Sequence, residues 1–297
     1  MEDKKEVYYK YFEEKILPLI YPLEKERIKT VWKVVISSII MFLAGVFFAF
    51  LFVYLALTNK ISLLWLPVLL FLMYLFFIKS IINVIWAGKN YQKLLLEKVL
   101  PYFFEPYAKF RFWPKNHDTG AVLDSKLFGN FDSQEDTACI FGIYNNVNVI
   151  VANTELTIPV NKKVFKGTTI QLELPSSTDN HVIMISKNER KNNTYKQVNP
   201  HIKDLNKYLY TFAKNPDGID FIDEDFWKVL KRFGEVYTAK GFAFSYKNRT
   251  VLIAIRQKRP WQFGFLFKSL LKPENYDDLI ERFVVIFDFV DLLNRSV

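Results

Sequence analysis

The sequence predicts an α+β protein: an N-terminal two-helix transmembrane hairpin, then a cytoplasmic domain with an antiparallel sheet of about six strands and a packing C-terminal helix. Three observations predict it. Val34 to Leu57 is a run of 24 residues without a charge, and Ile61 to Ile78 is a run of 18 more. From Phe110 onward the apolar spacing changes from helical to alternating. The chain closes on Tyr276 to Asn294, a helical pattern with a wide apolar face, whose uncharged core Phe283 to Phe287 is far too short to span a bilayer.

The two runs account for a composition that is 51% hydrophobic and 17% aromatic, with 29 Phe, more apolar than an ordinary soluble chain. At about 1.5 Å per helical residue they are roughly 36 and 27 Å long, enough to cross a hydrocarbon core of about 30 Å. A signal peptide does not fit, because its apolar region is about 7 to 15 residues long and lies nearer the start. The link Thr58, Asn59, Lys60 is so short that the spans must run antiparallel, and Pro67 predicts a mild kink in the second. Lys15, Lys25, Arg27, Lys29 and Lys33 precede the first span, and Lys79, Lys89, Lys93 and Lys98 follow the second. The link holds only Lys60, so the positive-inside rule puts both termini in the cytoplasm. Trp32, Trp65 and Trp86 fall where an interfacial aromatic belt is expected.

The net charge is +9, with +1 on residues 1–33 and +2 on residues 34–87, which leaves +6 on the rest. That excess suits a domain lying against an anionic leaflet, so the lipid bilayer is the expected partner, with a protein partner besides. Nucleic acid is excluded as a partner: the basic residues are interleaved with acids, and no RNP, zinc-finger or helix-turn-helix signature occurs. Cys139 is the single cysteine, which excludes an intrachain disulfide and agrees with a reducing cytoplasm.

Residues 1–33 read as a cytoplasmic amphipathic helical segment, with Tyr8, Phe12, Ile16, Leu19 and Leu23 at helical spacing and Pro18 and Pro22 as breaks. Residues 34–87 form the hairpin, 88–109 a juxtamembrane helix and 110–297 the cytoplasmic α+β domain. EKILP at Glu14 to Pro18 is echoed by EKVLP at Glu97 to Pro101, which predicts two helices paired as a short stalk. Ala138 to Tyr144 and Val147 to Thr157 read as strands around a two-residue turn at Asn145-Asn146, since Asn tolerates positive φ. Thr168 to Leu174, His181 to Ser186, Phe242 to Tyr246 and Val251 to Arg256 read as further strands, the last two joined around Lys247-Asn248-Arg249. Asp223, Glu224 and Asp225 read as the N-cap and first turn of a helix that carries Phe226, Leu230 and Phe233.

The polar stretch Ser125 to Asp136, SKLFGNFDSQED, is the first candidate for chemistry. An EF-hand starting at Asn130 needs Gly at its sixth position and Glu at its twelfth, and finds Glu135 and Phe141. Cys139 has no CxxC partner, and His117, His181 and His201 are not at ligand spacing, so no metal and no cofactor are expected. No G-x-S-x-G, P-loop or G-x-G-x-x-G motif occurs, and Cys139 in an alternating strand reads as a buried thiol. Two readings of the acids stay open. Asp132, Glu135 and Asp136 with Glu155 on the neighbouring strand can converge for acid/base hydrolysis, or Asp132 and Asp136 accept backbone N–H groups in a turn. A second segment, RQKRPWQFGFLFKSLLK from Arg256 to Lys272, mixes charge with aromatics. Arg256, Lys258, Arg259 and Lys268 with Trp261, Phe263, Phe265 and Phe267 either lie in the headgroup region or fill the core beside the last helix.

Several segments, in order, resemble a bacterial family catalogued as a domain of unknown function, number three-one-three-seven. They are YFEEKILPLIYPLEKERI, the hairpin, LLLEKVLPYFFEPYAKF, SKLFGNFDSQEDTACIFGIYNNVNVIVANTEL, VFKGTTIQL, LNKYLYTFAKNPDGIDFIDEDFWKVL, FSYKNRTVLIAI and the terminal helix. The resemblance covers nearly the whole chain and implies a bacterial inner-membrane protein of this architecture, with no activity or catalytic residues to carry over. The family's acidic loop usually has Gly-Glu-Asp where this chain has Gln134-Glu135-Asp136, and Asp where it has Asn215, which counts against an obligatory role for Gln134 or Asn215. The function expected is a non-catalytic binding or scaffold module at the membrane surface, with a membrane-tethered hydrolase as the alternative.

Overall fold

A computed structural model describes residues 2–58, 66–113, 119–159, 162–189, 195–257, 261, 263 and 267–296. The chain begins in helix α1 (Glu2–Tyr11), which runs through a π turn (Phe12–Ile16) into the 41-residue helix α2 (Leu17–Leu57). Pro18 explains the turn. It has no N–H for the carbonyl of Glu14 and its ring crowds that carbonyl, so the Leu17 N–H reaches back to Phe12 O instead. The extra residue shifts the inward face by one position. Tyr8, Phe12, Ile16 and Ile20 are fully buried, whereas Leu19, expected on that face, is exposed.

Helix α3 (Leu66–Lys98) is followed by the short α4 (Leu100–Phe103), with Pro101 in the first turn of α4, where a missing N–H costs nothing. Pro67, expected to kink the second span, is the second residue of α3 within the described residues. The two Pro-marked echoes do meet: the π turn packs against α4, and Ile16, Val99 and Leu100 are all buried there. Tyr91 on α3 donates to Leu23 O on α2 at 3.4 Å. The link 59–65, with Lys60 and Trp65, lies outside the described residues.

The sheet is formed by β1 (Lys109–Trp113), β2 (Ser133–Tyr144), β3 (Val147–Ile158), β4 (Lys162–Ser186), β5 (Lys196–Val198), β6 (Leu209–Ala213) and β7 (Gly241–Arg256). Every pairing is antiparallel, in the order β1-β2-β3-β4-β6-β5, with β7 along the other side of β4. Asn145 and Asn146 turn the β2–β3 hairpin with φ of 45° and 64°, as the sequence predicts.

The strands expected at 168–174 and 181–186 are one 25-residue strand, β4, and those at 242–246 and 251–256 are one strand, β7. Lys247-Asn248-Arg249 does not reverse the chain. Asn248, with φ of 53°, pairs with Thr178, where the register shifts on both sides, so the two strands bend together. A turn signal marks the bend because its partner strand continues past it.

One face of the sheet packs against α7 (Glu224–Val236), α8 (Asp277–Ser296), α4 and α1 in a single core. Phe283 stacks on Phe104 with ring centroids 4.0 Å apart. Asp223 caps α7, its Oδ1 accepting from Phe226 N at 2.7 Å, and Phe226, Leu230 and Phe233 are buried as predicted. The segment 2–33 therefore shares its core with the α+β domain. Above that shared base the large apolar side chains of α2 from Ile36 onward face outward, Phe50 at 73% and Leu57 at 79% exposure. α2 lies in the helical run that, among the described residues, is long and apolar enough to cross a membrane.

Candidate functional site

The opposite face of the sheet is covered by α5 (Thr119–Asp124) and the stretch Ser125 to Asp132. Ser125 shapes its start: its hydroxyl donates to Val122 O at 2.6 Å and accepts from Leu127 N at 3.2 Å. Leu127, Phe128 and Phe131 pack on Val122, Leu156, Phe165, Leu252 and Ala254. The Phe128 and Phe165 rings lie 4.9 Å apart.

The four acids of the hydrolytic reading do not converge. Cross-strand partners share a face and successive residues alternate. Glu135 pairs with Glu155 and Asp136 with Thr154, so Glu135 and Glu155 occupy one face and Asp136 the other. Glu155 is held by Lys163 at 2.6 Å and Lys166 at 3.2 Å. The Lys163 hydrogen bond, helped by Lys166 and opposed by partial burial, keeps its carboxyl below the ordinary range, which suits a fixed anion and not a proton donor. Asp136 accepts from Thr154 Oγ1 at 2.6 Å and from Gln134 Nε2 at 2.8 Å. Both of these donors are side chains. Asp132 is exposed, and it is its backbone N–H that bonds, to Thr157 O.

Between the 126–130 segment and the sheet lies a cleft of about 500 Å³. Phe165, Ile185, Phe242, Ala243 and Ala254 line it from the sheet, with Leu127 and Phe128 across from them. Lys126, Glu189 and Arg256 supply its charge. Glu189 binds Arg256 through both oxygens, at 2.6 and 3.2 Å, and Arg256 also donates to Val164 O at 3.0 Å. Its guanidinium sits 5.5 Å from the Phe165 ring centroid. Gly241 makes room for this pair, since a Cβ there would strike the Glu189 carboxylate. The sequence marks Arg256 and Phe128, but Glu189 lies 67 residues from its partner and has no local signal.

The basic aromatic segment divides. Trp261 and Phe263 are buried at 2% and 0% exposure and fill the helix-side core, so they do not face a membrane; Phe267 is exposed at 63% beside Lys268. Lys258, Arg259 and Phe265 lie outside the described residues. Trp261 O accepts from Asn153 Nδ2 at 2.9 Å, which ties the segment to β3.

A buried histidine site has no sequence motif. His181 on β4 bonds through Nε2 to Ser245 Oγ at 2.9 Å and through Nδ1 to Tyr195 OH at 3.0 Å. Burial, against a backbone hydrogen bond to Ser125, lowers the imidazole pKa to about 4, so the ring is neutral at pH 7. Ser245 opens onto a void of about 50 Å³ with Asp124, Ser125 and Lys247, room for water and not for a substrate. Cys139 is buried at 1% exposure, and burial, reinforced by Asp136, pushes its thiol up to about 12. Among the described residues no three His, Cys, Asp or Glu side chains are grouped to hold a metal.

The chain matches no protein-family model and no curated protein. Among solved structures it is similar to that of the mycobacterial trehalose monomycolate transport factor A, TtfA, at 14% identity over 63% of this chain and 88% of that one. The TM-score is 0.38, too loose a likeness to carry an argument about function.

Proposed function

We propose that this chain is a non-catalytic binding module anchored in a bacterial inner membrane, of the kind found in the family of unknown function it resembles. Residues 34–57 and 61–78 cross the bilayer as an antiparallel hairpin, both termini stay cytoplasmic, and the α+β domain presents its cleft near the membrane surface. The observation that carries this reading is the outward-facing apolar surface of α2, with Phe42, Phe47 and Phe50 exposed directly above a fully buried base at Tyr8, Phe12 and Ile16. Water would charge about 25 cal/mol for each Å² of that surface. On α3 the exposed Phe71, Tyr74, Phe77, Ile81 and Trp86 support the second span, and exposed Trp32 and Trp86 fit an interfacial belt.

The Leu270 N–H is bound to Glu24, ten residues before the first span, or about 15 Å along the helix. That supports a position near the headgroups for exposed Phe267 and Lys268. Binding is favoured over hydrolysis because Glu135 and Asp136 face opposite ways and Glu155 is neutralised by two lysines.

The test has two arms. The protein is expected to stay with membranes through alkaline carbonate extraction, and a photoreactive residue in place of Asn130, on the cleft rim, is expected to give one reproducible adduct in cells. Release by carbonate sinks the anchor. Absence of any adduct, or turnover of a hydrolase substrate that Asp136→Asn abolishes, sinks the binding reading.

A further inference from the structure

Resting on that reading of the cleft as the binding surface, we propose that its ligand is a single-chain amphiphile with an anionic head, such as a fatty acid. Apolar side chains meet across the cleft, Leu127 and Phe128 on one side and Phe165, Ile185 and Ala243 on the other, a lining that suits an acyl chain. The volume of about 500 Å³ lies toward the lower end of the range of roughly 300–1,000 Å³ for small-molecule sites, which suits one acyl chain and not a two-chain lipid.

Charge selects the head. Two cations, Lys126 and Arg256, and one carboxylate, Glu189, line the cleft. Their formal sum is +1, so an anion is attracted and a quaternary amine repelled. Arg256 is held in place by Glu189, by Val164 O and by the Phe165 ring, so it meets a carboxylate without first giving up its freedom. Gly241 leaves room for this arrangement, because a Cβ there would strike the Glu189 carboxylate that holds Arg256. A protein placed at a bilayer has such amphiphiles at hand, and the cleft is on the sheet face opposite α7 and α8.

The full-length protein in phosphatidylcholine nanodiscs, irradiated with a diazirine-bearing dodecanoate and digested for mass spectrometry, tests this. Label is expected on the peptides holding residues 126–130 and 241–243. Unlabelled fatty acids should compete with potency rising about fourfold per methylene until the cleft is full. A trimethylammonium probe of equal chain length should label these peptides at least tenfold less. Ala243→Phe, which fills the cleft, should cut the label at least tenfold. Lys126→Glu, at an exposed position, should weaken the carboxylate probe fivefold and leave an alcohol-headed probe unchanged. Label confined to α2 and α3, equal labelling by the cationic probe, or insensitivity to both variants overturns the proposal. A cleft adduct of another kind at position 130 in cells, with no dodecanoate label, overturns the ligand class and leaves the binding module standing.

Discussion

The carboxylate of Glu24 accepts the backbone N–H of Leu270 at 3.1 Å, across 246 residues of chain, while Arg27 grips both of its oxygens at 2.7 Å. Glu24 and Arg27 are 5% and 9% exposed. This buried pair fastens the first part of α2 to the segment leading into α8, and so joins the long apolar helix to the domain. Replacing Glu24 with Ala removes the buried carboxylate that Arg27 and the Leu270 N–H share. The expected cost is about 3–5 kcal/mol, with loss of hydrogen-exchange protection at Leu270, measured on the protein in detergent. A melt and an exchange pattern like those of the parent protein would contradict this role.

Stability should fall in mild acid because of His181. Its folded pKa of about 4 lies below the unfolded value of about 6.5, so between these limits the unfolded chain binds a proton that the folded one does not. The contribution is complete above pH 6.5 and is lost as pH falls toward 4, up to roughly 3 kcal/mol. Thermal melts of His181→Asn should show a flatter dependence across that window. An unchanged slope would mean that other groups dominate.

Thr154 is the hinge of a hydroxyl chain, donating to Asp136 at 2.6 Å and lying 2.6 Å from Thr169 Oγ1. Thr154→Val keeps the shape and removes the donor, and should destabilise the fold by about 1.5–3 kcal/mol, the range for bonds to charged groups. Denaturant titration decides it. Little change would mean that Asp136 finds its partners elsewhere.

Gly167 is the close-approach position where β4 meets β7. A Cβ there would run into the backbone carbonyl of Ile255, which cannot swing away as a side chain can. Gly167→Ala is expected to cost about 1–3 kcal/mol and to loosen the floor of the cleft, read as faster exchange at Arg256. Gly129→Ala, where nothing lies near, is the control.

Cys139 should not react with iodoacetamide at pH 8 in the folded protein, since its thiol titrates near 12. Modification at the rate of a free thiol would show that β2 opens.

Features that depend on neighbours along the chain were legible in the sequence. The uncharged runs determined α2 and α3, the cap at Asp223 determined where α7 begins, Asn145-Asn146 determined the β2–β3 turn, and helical spacing determined α8. Each follows from a period or a side chain acting within a few residues. Tertiary structure alone decided that Asn248 bends β7 instead of ending it, because that outcome depends on Thr178 continuing alongside. It also set Glu135 and Asp136 on opposite faces, turned Trp261 and Phe263 inward, and brought Glu189 to Arg256. The cleft joins segments from 126–130 to 241–256, and strand register and burial, not local preference, determine which side chains line it.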